Sequence, residues 1–300
     1  MDINKKIAYN ENQSKIYEWD ASWFGHDKFD KTLIAKIKEF QKENGLTPDG
    51  LCGPSTYRRK WTQRQSLLDT AYINSLKSGK KYIIHNSQPF EIHWDKVILW
   101  NDEGGLSCNK KGNYINRAGK VDREPSLFVT HWDVCLSSKS CVKVLNKRGL
   151  SIHFCIDNDG TIFQCLDTQH VAFHAGMYNK KSIGVEISTA YSLKYQSWYK
   201  RNNFGERPVI EDAVVHGKKL KPFLGFYDVQ KQALAALYEA ISRATGIPLQ
   251  SPPEKSSVSS AIYSEDLSCF CSHFHLTRKK IDCAGLSIDN VLEESKKIRG

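Results

Sequence analysis

Phe128-Val129-Thr130-His131 and His273-Phe274-His275-Leu276-Thr277-Arg278-Lys279-Lys280-Ile281-Asp282-Cys283 decide how this chain is read. The first ends an apolar run from Leu127 to Val129, the signature of a short buried strand, on a histidine. The second gathers two histidines, three basic residues, an aspartate and a cysteine on one segment. Imidazole from one segment, with imidazole and a carboxylate or thiolate from the other, makes a three-ligand zinc set. Three protein ligands leave a tetrahedral ion one open position, as catalytic zinc sites require.

Between these segments the pattern alternates between strand and helix. Ser138 to Arg148 has helical spacing and stops at Gly149. Ile152 to Ile156 and Thr161 to Leu166 read as strands joined by the turn Asp157-Asn158-Asp159-Gly160. Ser182 to Ile187 is a further strand. Val229 to Thr245 is the strongest helix, with Asp228 as its cap and Gly246 as its stop. The mixture predicts an α/β fold, a mixed central β-sheet flanked by helices. Upstream, Tyr82-Ile83-Ile84 and Phe90-Glu91-Ile92 predict a hairpin around Asn86-Ser87-Gln88-Pro89 that carries His85 and His93 as ordinary strand histidines. Residues 102–124 read as a long surface loop, and residues 250–266 as a loose segment before the metal-type loop.

The N-terminal residues form a separate unit. From Thr32 to Gly45, Leu33, Ile34, Ile37 and Phe40 line one helical face, with Asp30 as the N-cap. Thr47-Pro48-Asp49-Gly50 is a turn, and a next helix begins near Ser55 or Thr56. The expected division is a small all-α three-helix domain over 1–65, a helical linker over 66–80 and a larger domain over 81–300.

Composition narrows the class. The 300 residues carry 43 Lys and Arg against 33 Asp and Glu, a formal net charge of +10. The basic residues are dispersed, which argues against a nucleic-acid-binding arm and suits an anionic polymer such as a cell wall. No apolar run reaches the ~20 residues of a membrane-spanning helix, and the first residues lack a signal-peptide core. The expectation is a monomeric protein without stable membrane insertion, kept in a cytosol until released. The nine cysteines have no C-x-x-C spacing, so they read as reduced thiols, with Cys155 and Cys165 as small buried hydrophobes.

Two resemblances follow from these residues. Phe40-Gln41, Gly45-Leu46, Asp49-Gly50, Gly53 and Thr56 match the pattern of three-helix peptidoglycan-binding domains. His131, Ser151-Ile152-His153-Phe154 with Asp159-Gly160-Thr161-Ile162, His174-Ala175-Gly176 with Asn179 and Ser182-Ile183-Gly184-Val185-Glu186-Ile187, and His273 with Lys280-Ile281-Asp282 resemble, in order, the type-2 N-acetylmuramoyl-L-alanine amidases, relatives of the peptidoglycan recognition proteins. The resemblance implies a zinc hydrolase (cofactor Zn2+) that cuts the amide between N-acetylmuramic acid and L-alanine of bacterial peptidoglycan. It implies His131, His273 and Asp282 as metal ligands, with Cys283 and His275 as rivals, and Glu186 as general base. It further implies Lys280 as oxyanion partner and His174 and Asn179 as substrate contacts. His153 reads as a core histidine. Phe173 and Ala284 depart from the family's usual Trp and Pro, and residues 191–224 form a longer insertion. Wall-binding and wall-cutting modules together resemble a phage endolysin, held in the host cytoplasm and released onto the wall. The other implied readings are a non-catalytic recognition protein and a wall-recycling or tail-associated amidase.

Overall fold

The computed structural model describes residues 1–64, 66, 79–117 and 123–300. Most of the helical linker expected over 66–80 lies outside the described residues.

The N-terminal unit has helices α1 (Ile3–Tyr17), α2 (Lys31–Glu43) and α3 (residues 54–64). Asp30 caps α2 by accepting from the amides of Thr32 and Leu33 at 2.8 and 3.1 Å. The Phe40-Gln41 pair has a physical explanation. Phe40 joins a core with Trp19, Trp23, Phe24, Leu33 and Ile37. Gln41 is buried and ties the turn after α2 to α3. Its Nε2 donates to Asp49 Oδ1, the Leu51 carbonyl and Thr56 Oγ1 at 2.8, 3.0 and 3.0 Å, and its Oε1 accepts from the Gly50 amide at 2.8 Å. Gly50 has φ +79°, and a Cβ there would lie 2.6 Å from the Ile34 side chain. Only glycine satisfies both conditions.

In the larger unit, β1 (Lys81–His85) and β2 (Gln88–Ile92) form the expected hairpin, turning through Asn86 and Ser87 with φ of 49° and 61°. The main sheet uses β3 (Val97–Leu99), β4 (Leu127–Trp132), β5 (Phe154–Ile156), β6 (Ile162–Gln164), β7 (Ser182–Ile187) and β8 (Cys269–Ser272). Its order is β8-β4-β7-β5-β6-β3, parallel throughout except for the β5–β6 hairpin. α4 (Ser138–Lys147) packs on one face. α5 (Asp228–Thr245) packs on the other, with α6 (Ile288–Arg299) beyond it.

Strand pleat sorts the residues between these faces. Phe128 and Trp132 of β4, and Ile183, Val185 and Ile187 of β7, enter the α5-side core. Thr130 shares that side, with its hydroxyl 2.5 Å from Tyr238 on α5. The alternate positions, His131 on β4 and Ser182, Gly184 and Glu186 on β7, face the other way. The polar functional residues therefore collect on one face while the opposite face builds the core.

Some expectations are corrected. β8, the strand that leads into His273, has no counterpart in the sequence reading, falling between the loose segment over 250–266 and the metal-type segment that starts at His273. All four of its residues are buried, so it lacks the polar alternation that marks a half-exposed strand. α5 begins at Asp228 itself, and it buries almost its whole circumference because α6 covers its outer side. Residues 250–266 are tied to the metal loop: the Ser259 amide donates to the His275 carbonyl at 2.9 Å and His275 Nε2 donates to the Glu254 carbonyl at 2.8 Å. The insertion over 191–224 is anchored by Arg207, which is buried between Tyr199 and Tyr227, with its guanidinium carbon 4.4 and 4.3 Å from the two ring centroids. Arg207 also donates to Asn158 Oδ1 and the Ser188 carbonyl at 2.5 and 2.7 Å. All nine cysteines, each among the described residues, are free thiols, and Cys155 and Cys165 are fully buried.

Candidate metal centre

Three elements converge at the C-terminal end of β4. β4 carries His131 as its penultimate residue, β8 delivers His273 in the single turn that follows it, and the loop after that turn returns Asp282. His131 Nδ1 lies 2.9 Å from His273 Nδ1 and 3.1 Å from Asp282 Oδ2, and His273 Nδ1 lies 3.0 Å from that same oxygen. All three side chains are buried.

Proton counting shows what this triangle lacks. Burial opposes ionisation of Asp282, but hydrogen bonds from His131 and His273 outweigh it and hold the carboxyl well below the usual carboxylate range. With Asp282 ionised, one proton on His131 leaves His273 and the carboxylate facing each other with lone pairs. A proton on each imidazole sets two N–H groups against each other. No proton placement satisfies all three contacts. A cation at the centre satisfies all of them, and the edges approach the ~3.3 Å ligand spacing of tetrahedral zinc. Burial, then His273, lowers the pKa of His131 to about 4, which keeps its imidazole neutral and able to ligate at neutral pH.

The other rivals point elsewhere. Cys283 is fully buried in the α5-side core. His275 has both ring nitrogens engaged by backbone, accepting from the Ser272 amide at 3.0 Å and donating to the Glu254 carbonyl.

Behind the triangle, His131 Nε2 meets His174 Nδ1 at 2.9 Å, and His174 Nε2 meets Ser182 Oγ at 3.2 Å. This fixes the ring of His131 from its outer side. Gly184 has a steric role here: a Cβ would lie 2.5 Å from the His174 ring and 2.7 Å from Ile152. The glycine between two β-branched residues of β7 is the slot that His174 fills. His153 is a core histidine, donating to the His170 carbonyl at 3.0 Å and accepting from the Gly184 amide at 3.1 Å. Asn179 was expected among the substrate contacts. Its Oδ1 instead accepts from the amides of His174 and Ala175 at 3.0 and 2.7 Å, so it shapes the loop that presents His174.

Glu186 pairs with His131 across the β4–β7 ladder, which places both side chains on the same face. Its Oε2 is buried and has no hydrogen-bond partner among the described residues. Burial raises its pKa well above the usual value, and the charges of Asp133 and Asp282 push the same way. An orphaned carboxylate oxygen beside a metal-type cluster is poised to take a proton. Glu186, Lys280 and the triangle line one cavity of about 310 Å³, which continues past Cys135 and Arg148 along α4. Lys280 is exposed at its rim, with its backbone carbonyl accepting from His216 at 3.0 Å.

Sequence reading missed Asp133. It follows β4 and accepts from the amides of Cys135 and Thr189 at 2.8 and 3.0 Å and from Ser188 Oγ at 2.9 Å. Its place two residues after His131 was the available signal. It also missed Arg123, which is buried and donates to the Thr168 and Ser182 carbonyls beneath the His174 loop.

Comparison with known proteins follows the same division. A family model described as N-acetylmuramoyl-L-alanine amidase matches residues 121–280, and a peptidoglycan binding domain model matches residues 24–59. Among solved structures, the chain is similar to an endolysin N-acetylmuramoyl-L-alanine amidase from Clostridium intestinale (15% identity, 69% of this chain and 97% of that one, TM-score 0.36). It is also similar to the Ph2119 endolysin of a Thermus scotoductus bacteriophage (15% identity, 66% and 98%, TM-score 0.38). A third is the Staphylococcus aureus hydrolase AmiA in complex with its ligand (13% identity, 77% and 91%, TM-score 0.41). No curated protein matches.

Proposed function

We propose, from the premise that this chain belongs to the N-acetylmuramoyl-L-alanine amidase family, that it hydrolyses peptidoglycan with zinc held by His131, His273 and Asp282. The observation that carries the reading is the three-atom triangle whose contacts no proton assignment satisfies, set beside the unpartnered oxygen of Glu186.

Zinc, when bound there, lowers the pKa of its water to about 7 and polarises a carbonyl. Glu186 takes a proton from the attacking water and delivers it to the leaving L-alanine nitrogen as the amide C–N bond breaks. Burial suits it to both roles, since a raised pKa lets the carboxyl hold a proton between the two transfers. Lys280, at the cavity rim, offers positive charge to the carbonyl oxygen as that oxygen gains negative charge. His174 holds the outer nitrogen of His131 and so keeps the inner one aimed.

The working division is a wall-binding module over 1–65, a linker over 66–80 and the amidase over 81–300, acting as a monomer. A wall-binding module joined to an amidase, with a net charge of +10, suits a phage endolysin that waits in the host cytoplasm and then attacks an anionic wall. No helix among the described residues is long and apolar enough to cross a membrane.

The test is digestion of purified peptidoglycan with and without a zinc chelator, with the fragments read by mass spectrometry. Stem peptides beginning at L-alanine, lost on chelation and restored by zinc, are the expected result. Wall binding with no release of peptide would leave a recognition protein and end the catalytic reading. For the endolysin role, turbidity of permeabilised cells should fall when the protein is added.

A further inference from the structure

A second cavity, of about 340 Å³, lies away from the metal cluster, between the N-terminal unit and the larger one. That volume is at the lower end of ligand pockets, ~300–1,000 Å³.

One wall is aromatic and comes from the N-terminal unit. Tyr17 stacks on Tyr57 with centroids 4.9 Å apart, Tyr57 stacks on Trp23 at 5.7 Å, and Trp61 meets Trp23 and Tyr57 at 5.8 and 6.1 Å. Trp61 is 46% exposed, a large cost for a side chain whose only task is to fill a core. The facing wall comes from the larger unit and holds Trp100, Tyr114, Asn101 and Asn109. Both asparagines are exposed, so their amides can turn toward a ligand. Only part of this lining, Trp23 and Tyr57, falls within the matched binding-domain segment of residues 24–59 or at its edge.

The charged side chains Arg64, Glu18 and Asp167 at the cavity each have a protein partner. Arg64 lies on Trp23, with its guanidinium carbon 4.8 Å from the ring centroid, and donates to Ser87 Oγ at 2.6 Å. Glu18 pairs with Lys111 at 3.5 Å. Asp167 is taken up by the amides of Asn86 and Ser87 at 2.9 and 2.7 Å. A cavity with flat aromatic faces, exposed side-chain amides and, among the described residues, no charged side chain left without a partner fits a neutral ligand with an apolar face and amide substituents. An N-acetylated pyranose has both: its ring C–H groups rest on aromatic faces, and its acetamido group pairs with side-chain amides. The stem peptide also carries amides, but it has no ring face of C–H groups and it brings carboxylate charge.

We propose that this cavity binds an N-acetylhexosamine unit of the glycan strand, held jointly by the N-terminal unit and the amidase domain. The proposal rests on the reading of the chain as a peptidoglycan amidase. The shared site would make glycan binding a property of the intact chain and would fix where the strand lies relative to the catalytic cavity.

The test uses the full chain and triacetylchitotriose, a trimer of N-acetylglucosamine, followed by tryptophan fluorescence. Trp23, Trp61 and Trp100 line the cavity, so a saturable change is expected with the trimer and not with cellotriose, which lacks acetamido groups. Trp61→Ala should weaken binding about tenfold, the scale of one lost aromatic contact. Asn101→Trp, which fills the cavity from the opposite wall at an exposed position, should weaken it at least as much. Circular dichroism confirms that each variant is folded. No saturable change, or equal binding of cellotriose, overturns the assignment. Loss in Trp61→Ala with full binding in Asn101→Trp places the sugar on the N-terminal unit alone and overturns the shared site. Amidase activity of the same wild-type sample separates the two readings. Peptide release without trimer binding ends only this proposal. Trimer binding without zinc-dependent release ends the catalytic one and leaves the sugar site standing.

Discussion

Gln41 and the His131–His273–Asp282 triangle are both buried polar centres, each made by residues that come together from different segments. They differ in satisfaction. Gln41 donates to three acceptors and takes one amide proton, so each of its polar atoms is used. In the triangle no proton arrangement serves all three contacts, and one Glu186 oxygen beside it has no partner. Burying a polar group is tolerable when its hydrogen bonds are made and costly when they are not. A satisfied centre therefore holds a fold together. An unsatisfied one has room for something the chain does not contain, which on the proposed function is a cation, a water and a substrate.

Substitutions can break this contrast. The largest effect is expected from Asp282→Ala. Losing one of three ligands should remove several kcal/mol of transition-state stabilisation, roughly a thousandfold in turnover, and metal analysis should show the ion gone. Cys283→Ala should keep its metal. If Cys283→Ala lost the ion and Asp282→Ala retained it, the triangle would be the wrong ligand set.

Glu186→Gln should cost roughly a hundredfold or more in kcat and yet stabilise the metal-free protein. A carboxyl whose folded pKa is raised contributes stability below its unfolded value and loses it as pH rises through the folded value. Glu186 has its pKa raised by burial above the ordinary 4.5. Glutamine should therefore raise Tm by a few degrees at mildly alkaline pH and give no gain below 4.5. Equal melting of the two proteins at alkaline pH would show that Glu186 is not held at a cost.

Gly184→Ala should act through His174. The added methyl meets that ring at 2.5 Å, so His131 loses its fixed outer partner and metal affinity should drop ~10–100-fold. Isothermal titration with zinc reads this directly.

The smallest catalytic effect is expected from Gln41→Leu. It leaves the Gly50 amide and several acceptors unpaired and should cost the N-terminal unit about 2–4 kcal/mol, visible as faster hydrogen exchange in α2 and α3. Turnover of a short soluble muropeptide should stay near wild type. A loss as large as that of Asp282→Ala would erase the distinction between the two centres.

Much of this was legible in the chain. The amphipathic face of α2, its Asp30 cap, the β5–β6 turn and β7 follow from local periodicity and turn chemistry. The ordered motifs pointed to His131, His273 and Glu186 before any coordinates. β8 was not legible, because a four-residue strand buried on both faces has neither alternation nor length to mark it. Arg123 and Arg207 were missed for a related reason: a single arginine says nothing about which distant carbonyls will surround it. Asn179 carried a motif signal that named its position, but only the structure showed its Oδ1 holding the loop that presents His174.

The sequence by itself determined most of the elements, the two modules and the chemical inventory of the site, because helix and strand periods, caps and turns are set by neighbours a few residues apart. Only the tertiary structure sets Asp282 apart from Cys283 and His273 from His275. Each pair lies at most two residues apart, and local pattern treats its members as near equals. What separates them is what waits on each side: a hydrophobic core for Cys283, backbone partners for His275, and for the other two the end of a strand more than a hundred residues away.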